Sequence, residues 1–130
     1  MDMDASILVV DDTPDTIRLI SSILKGSYRV RVAKNGQRGI DLALQTNPGI
    51  ILLDVEMPEM DGYALVAEIR RIEENSQEPM PILAVTASDF NLTKERAISL
   101  GFNGYMLKPF EIDVLEKKLA SIVYDTSKTN

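Results

Sequence analysis

Five short apolar runs recur along the chain, at residues 7–10, 28–32, 50–53, 82–85 and 105–107. Segments with helical spacing alternate with them. Ile17, Ile20 and Leu24 fall on one helical face, as do Ile40, Ala43 and Leu44, then Leu65, Ile69 and Ile72, and finally Leu115, Leu119 and Ile122. Residues 92–100 predict a weaker helix, with only Leu92, Ala97, Ile98 and Leu100 to bury. Five rounds of strand then helix predict an α/β fold with a parallel sheet.

The punctuation agrees with these boundaries. Thr13-Pro14 reads as an N-cap followed by proline at the first helical position. Asn35-Gly36, Pro48-Gly49, Asp61-Gly62 and Asn103-Gly104 fall between elements as turn dipeptides. Residues 73–81 are polar, hold two prolines and read as a loop. Nothing separates a second domain, so residues 1–124 form one domain and the polar residues 125–130 a C-terminal tail or the start of a linker.

The strands differ from one another. The first, third and fourth runs are apolar without alternation, as strands covered on both faces are. Tyr28-Arg29-Val30-Arg31-Val32 alternates, and its two arginines suit an edge strand. The fifth run is the shortest and suits the opposite edge. Strand order 2-1-3-4-5 satisfies all of this with right-handed crossovers.

Charge and composition narrow the chemistry. The 130 residues carry 14 Lys and Arg against 20 Asp and Glu, a net charge of −6, with no His, Cys or Trp. That balance argues against direct binding of nucleic acid or of an anionic membrane. Without Cys there is no disulfide, thiolate metal site or thiol nucleophile; without His there is no Ser-His pair and no phosphohistidine on the chain itself. The start lacks a basic signal-peptide region and no apolar run is long enough to span a membrane, so a cytoplasmic protein is expected. Asn91-Leu92-Thr93 fits a glycosylation sequon and is read as chance.

The polar residues collect where the strands end. The first strand ends in Asp11-Asp12, the third in Asp54, the fourth in Thr86 and the fifth in Lys108-Pro109. Open α/β sheets bind ligands outside these carboxyl ends, where strand order reverses. Neighbouring strands lie about 4.8 Å apart, so Asp12 and Asp54 can share an ion while the flexible stem of Lys108 reaches across. Like charges there cost roughly 4 kcal/mol per pair at 4 Å and an effective dielectric near 20. A divalent cation relieves this, and oxygen ligands with open positions select Mg²⁺ or Mn²⁺. Such a cluster describes a phosphoryl-transfer site with Asp54 as nucleophile. Singly, each group has a plainer reading: a helix cap for the acid pair or Thr86, a turn residue for Asp54, a surface lysine for Lys108, half-buried packing for Tyr105. Their joint placement at four strand ends sets the plainer readings aside.

These residues carry a resemblance. Ile7-Leu8-Val9-Val10-Asp11-Asp12, the run from Leu52-Leu53-Asp54 through Glu56-Met57-Pro58-Glu59-Met60-Asp61-Gly62, Val85-Thr86-Ala87, Gly101-Phe102-Asn103-Gly104-Tyr105 and Leu107-Lys108-Pro109-Phe110 resemble, in this order, the receiver domain of bacterial two-component response regulators. The likeness runs from about Ser6 to Val123. It implies a flavodoxin-like (βα)5 three-layer sandwich. It also implies that Asp54 accepts a phosphoryl group from a histidine kinase or histidine phosphotransfer protein. Asp12 and Asp54 would ligate Mg²⁺ by side chain, Asp11 through water and Glu56 by its backbone carbonyl. Lys108 would pair with the phosphate, the Thr86 hydroxyl would swing to a phosphoryl oxygen, and Tyr105 would turn inward behind it. The Lys108–Pro109 bond would be cis. The thin apolar face of the fourth helix places the responsive surface on the fourth helix, fifth strand and fifth helix.

Glu56 and Ser88 occupy rim positions where the family tunes phosphoryl lifetime. Residues 111–118 lack the arginine-bearing pattern of receivers that dimerise before a winged-helix DNA-binding domain. Three classes of function compete. The leading one is a phosphorylatable switch, standing alone or excised from a larger regulator or hybrid kinase, with an output domain or downstream protein as reader. It catalyses only its own phosphorylation and dephosphorylation. The second is a metal-dependent small-molecule phosphatase or phosphotransferase, which usually needs a second acid by the nucleophile and a substrate cap; Val55-Glu56 and the short chain supply neither. The third, a pseudo-receiver, predicts a missing acceptor, acid pair or lysine, and all are present.

Overall fold

The computed structural model describes residues 6–24, 26, 28–57, 61–74, 79–87, 94–108 and 111–128. Strands and helices alternate: β1 (Ser6–Val10), α1 (Pro14–Leu24), β2 (Arg29–Ala33), α2 (Gly36–Thr46), β3 (Ile50–Asp54), α3 (Gly62–Ile72), β4 (Ile82–Ala87), α4 (Lys94–Leu100), β5 (Gly104–Lys108) and α5 (Ile112–Lys128). All strands pair in parallel, in the order β2-β1-β3-β4-β5. The order predicted from apolar run type is the one observed.

The period of two along each strand divides the core into two layers. Leu8, Val10, Ala33, Ile51, Leu53, Ile82 and Ala84 face one side, where α2, α3 and α4 cover them with Leu42, Ala43, Leu65, Val66, Ile69 and Ala97. Ile7, Val9, Ile50, Leu52, Leu83, Val85 and Met106 face the other, covered by Ile20 and Leu24 of α1 and Leu115 and Leu119 of α5. The result is the three-layer, flavodoxin-like sandwich. The unbroken apolar runs of β1, β3 and β4 are buried on both sides because helices lie against both. Half-polar β2 and β5 are the edges.

Two turn dipeptides have a more specific role than expected. The Asn35 side chain accepts from the Arg38 amide and opens α2, and the Asp61 side chain accepts from the Tyr63 amide and opens α3. Three helical faces depart from expectation. In α2, Leu42 is buried and Leu44 is 55% exposed; in α4, Ile98 is 56% exposed, and Ile72 at the end of α3 is also largely exposed. In each case the fully buried positions lie a residue or a turn away, so the apolar spacing located the helix but misjudged its rotation or end. α4 begins at Lys94 among the described residues, and Leu92 and the sequon lie outside them. α5 runs to Lys128, through part of the segment expected to be tail.

Candidate functional site

Extending the strand register by one residue beyond the core positions brings polar groups together. Val10 pairs with Leu53, Asp54 with Val85, and Ala87 with Lys108. Asp11 therefore continues the face of Val9, Asp54 that of Leu52, and Lys108 that of Met106, all at the carboxyl edge of the sheet. Asp11 is fastened there by its own amide, which donates to the Ala33 carbonyl at 3.0 Å.

Lys108 reaches from the edge strand across β4. Its Nζ lies 3.1 Å from Asp54 Oδ2 and 3.4 Å from Asp11 Oδ2. The remaining oxygens are also placed: Asp54 Oδ1 accepts from the Glu56 amide at 2.9 Å, and Asp11 Oδ1 from the Thr13 amide at 2.8 Å. Asp11 and Asp54 are buried, whereas Asp12 is exposed. Carboxylate oxygens of Asp11, Asp12 and Asp54 lie within 4.8 Å of one another.

The electrostatics of this cluster are strained in one direction. Burial pushes the Asp11 carboxyl above its ordinary value, and the neighbouring Asp54 adds to this; the Thr13 amide and the Lys108 ammonium only partly offset them. For Lys108 burial works against the ammonium, but the bond to Asp54 and the charges of Asp11 and Asp54 outweigh it, and its value rises. Three carboxylates face one ammonium, an excess of negative charge that suits a hard divalent cation with oxygen ligands.

Thr86 lies within β4, fully buried, and its hydroxyl has no hydrogen-bond partner. It does not cap a helix, since β4 continues past it to Ala87. The register sets Tyr105 opposite Ala84, so Thr86 and Tyr105 lie on the same face of adjacent strands. Tyr105 is half-buried against the α3–α4 core layer, with Lys118 Nζ 5.8 Å from its ring centroid. Glu56 is exposed beside Asp54. Ser88, residues 58–60, Pro109 with the expected cis bond, and Phe110 lie outside the described residues.

Asp11, Asp12, Asp54 and Lys108 thus meet at one rim, with Thr86 one position past the strand partner of Asp54. What sequence reasoning missed is that Asp11 is a direct partner of Lys108 as well as a neighbour of the ion site. Its place two residues after Val9 was the available signal.

The sequence profile of the response regulator receiver domain matches residues 7–120. The chain belongs to that family. It is 38% identical over 111 residues to an uncharacterized 14.6 kDa protein in the sodA1 3′ region of Leptolyngbya boryana, covering 85% of this chain and 82% of that one. It is 34% identical over 127 residues to the sensor histidine kinase RcsC of Salmonella typhimurium, covering 97% of this chain but only 13% of the kinase. Among solved structures it resembles a chain in the co-crystal of the Saccharomyces cerevisiae histidine phosphotransfer protein Ypd1 with the receiver domain of the response regulator Ssk1. There the TM-score is 0.81 and the identity 28%, over 91% of this chain and 88% of that chain. This receiver domain is therefore of a kind found both in response regulators and within sensor kinases, and its acidic cluster is compatible with phosphorylation and metal binding. Among its described residues no helix is long and apolar enough to cross a membrane.

Proposed function

We propose that Asp54 accepts a phosphoryl group from the phosphohistidine of a histidine kinase or histidine phosphotransfer protein, and that the chain then signals through a changed α4–β5–α5 surface. The observation that carries this reading is the Asp54 carboxylate itself. It is nearly buried, oriented by an amide on one oxygen and an ammonium on the other, and crowded by two further carboxylates. A structural ion pair would need neither Asp11 nor Asp12 beside it.

Transfer forms a P–O bond to a carboxylate oxygen of Asp54 and breaks the P–N bond of the donor, whose electron pair stays on the imidazole. Asp12 and Asp54 by their side chains, Asp11 through water and Glu56 by its backbone carbonyl would hold Mg²⁺ or Mn²⁺, which would offset the charge gathering on the phosphoryl oxygens. Lys108 then exchanges its bond to Asp54 for one to a phosphoryl oxygen. The Thr86 hydroxyl, lacking a partner, gains one there, and Tyr105 follows into the space behind it. The exposed Glu56 lies beside Asp54, where it influences water's access to the acyl phosphate.

Several wider points belong to the same proposal. The domain acts on itself through phosphorylation and autodephosphorylation, not on an external substrate. Residues 1–124 form the receiver and 125–130 a tail or linker start into which α5 extends as far as Lys128, and the chain works in the cytoplasm, alone or joined to an output domain or kinase. Its relatives include both a protein of its own size and a kinase many times longer, and the Ypd1–Ssk1 pair supports a phosphotransfer partner. Intact mass after incubation with a small acyl phosphate and Mg²⁺ tests the reading. One added phosphoryl group is expected, absent in Asp54→Asn and absent when the metal is chelated. Equal labelling of Asp54→Asn, or no labelling of the parent protein, overturns it.

A further inference from the structure

Charge is spread unevenly over this chain. Residues 25–38 hold five of its 14 basic side chains, Lys25, Arg29, Arg31, Lys34 and Arg38, and none of its 20 acidic ones. A wholly basic stretch thus sits within a chain of net charge −6. Lys25 lies outside the described residues. The other four fall on β2, on the loop after it and on the first turn of α2.

The sheet sets the two arginines of β2 on one face. Arg29 pairs with Ser6 and Arg31 with Leu8, so both continue the face of Ala33, on which α2 lies. Val30 and Val32 alternate with them and are half-buried on the α1 side. Arg29, Lys34 and Arg38 are exposed and Arg31 is half-buried. None of the four forms an ion pair among the described residues. The acids nearest to them in sequence are engaged elsewhere: Asp15 pairs with Arg18, and Asp41 of α2 accepts from Gln37 at 3.0 Å.

β2 also ends the sheet. Among the described residues it pairs with β1 alone, so backbone N–H and C=O groups line an outer edge with no strand beside it. Charge on such an edge keeps separate sheets apart, and a second copy of this chain would bring arginine against arginine there. A strand of opposite sign meets no such barrier. Nucleic acid or an anionic membrane fits less well: either extends beyond the about 17 Å of a five-residue strand and meets the acidic remainder of the chain.

We propose that the outer edge of β2 binds an extended segment of a partner protein in which acidic and apolar residues alternate. The segment adds a sixth strand. Its backbone pairs with that of β2, its carboxylates meet Arg29 and Arg31, and its apolar side chains extend the row of Val30 and Val32. Lys34 and Arg38 attract acids that run past the carboxyl end of the strand. β2 lies across the sheet from β5, so this surface is separate from the α4–β5–α5 face, and the reading of Asp54 stands or falls without it.

The test is amide NMR of the whole, isotope-labelled chain titrated with the peptide acetyl-EVEVEVE-amide. Shift changes concentrated at residues 29–34 are expected, with hydrogen exchange about tenfold slower at the outward-facing amides of β2. R29E/R31E should bind this peptide about tenfold more weakly and take up acetyl-KVKVKVK-amide instead. An equal response of the parent protein to both peptides, or a footprint away from β2, overturns the proposal. So does tighter binding at β2 of a short single-stranded DNA or of phosphatidylserine vesicles, which would make the strip a general polyanion site. Should R29E/R31E not fold, the parent protein's choice between the two peptides and its exchange pattern still decide.

Discussion

Asp11 is held between an amide, an ammonium and a second carboxylate, and burial is the largest influence on it. Because its folded-state value is raised, the folded protein holds that proton more tightly than the unfolded chain does. The corresponding stability is present below the ordinary value of 3.8 and is lost as pH rises through the raised one. Asp11→Asn is therefore expected to stabilise the metal-free protein at neutral pH by about 1 kcal/mol, about 3–5 °C in Tm. The gain should vanish below pH 3.8, and Mg²⁺ affinity should fall; thermal melts across pH, with and without the metal, read both. Thr86 gives the complementary case. Thr86→Val loses no hydrogen bond, since the hydroxyl has no partner, and buries one polar group fewer. Its stability in denaturant should equal or exceed the parent's by about 1 kcal/mol. Its amide response to beryllium fluoride and Mg²⁺, a mimic of the phosphorylated state, should be lost beyond β4; a destabilised variant with a normal response would remove Thr86 from the switch.

The elements were legible in the sequence to different depths. Unbroken apolar runs identified β1, β3 and β4 as interior strands because only a sheet covered on both faces buries every position. Helix rotation was harder: Leu42 and Leu44 differ by about 200° around α2, and only packing on β1 decides that Leu42 turns inward. The capping roles of Asn35 and Asp61 were hidden because Asn-Gly and Asp-Gly also make turns. The hydrogen bond from Arg70 Nη2 to Asn103 Oδ1 was invisible, its ends being 33 residues apart with no periodicity to link them. Gly62 is where element and site meet. Gly62→Ala forces a methyl against the Val55 backbone at 2.5 Å, and a loss of about 3 kcal/mol is expected in denaturant unfolding. A loss under 1 kcal/mol would show that α3 can retreat from β3 at little cost.

Across the whole molecule, parallel topology does the work of assembly. Every strand presents its carboxyl end at one edge, so Asp11, Asp54, Thr86 and Lys108, scattered over the sequence, converge without local motifs. That convergence could be inferred from the sequence because strand order followed from apolar pattern. The sharing of Lys108 between Asp11 and Asp54 could not, because it depends on how a flexible side chain settles among competing charges. The most direct measurement traps the acyl phosphate itself. Protein phosphorylated by a small acyl phosphate with Mg²⁺ is reduced with borohydride, and its peptides are sequenced by mass. Homoserine at position 54 alone is the predicted result; a reduced residue at Asp11, Asp12 or elsewhere, with Asp54 intact, would contradict the account.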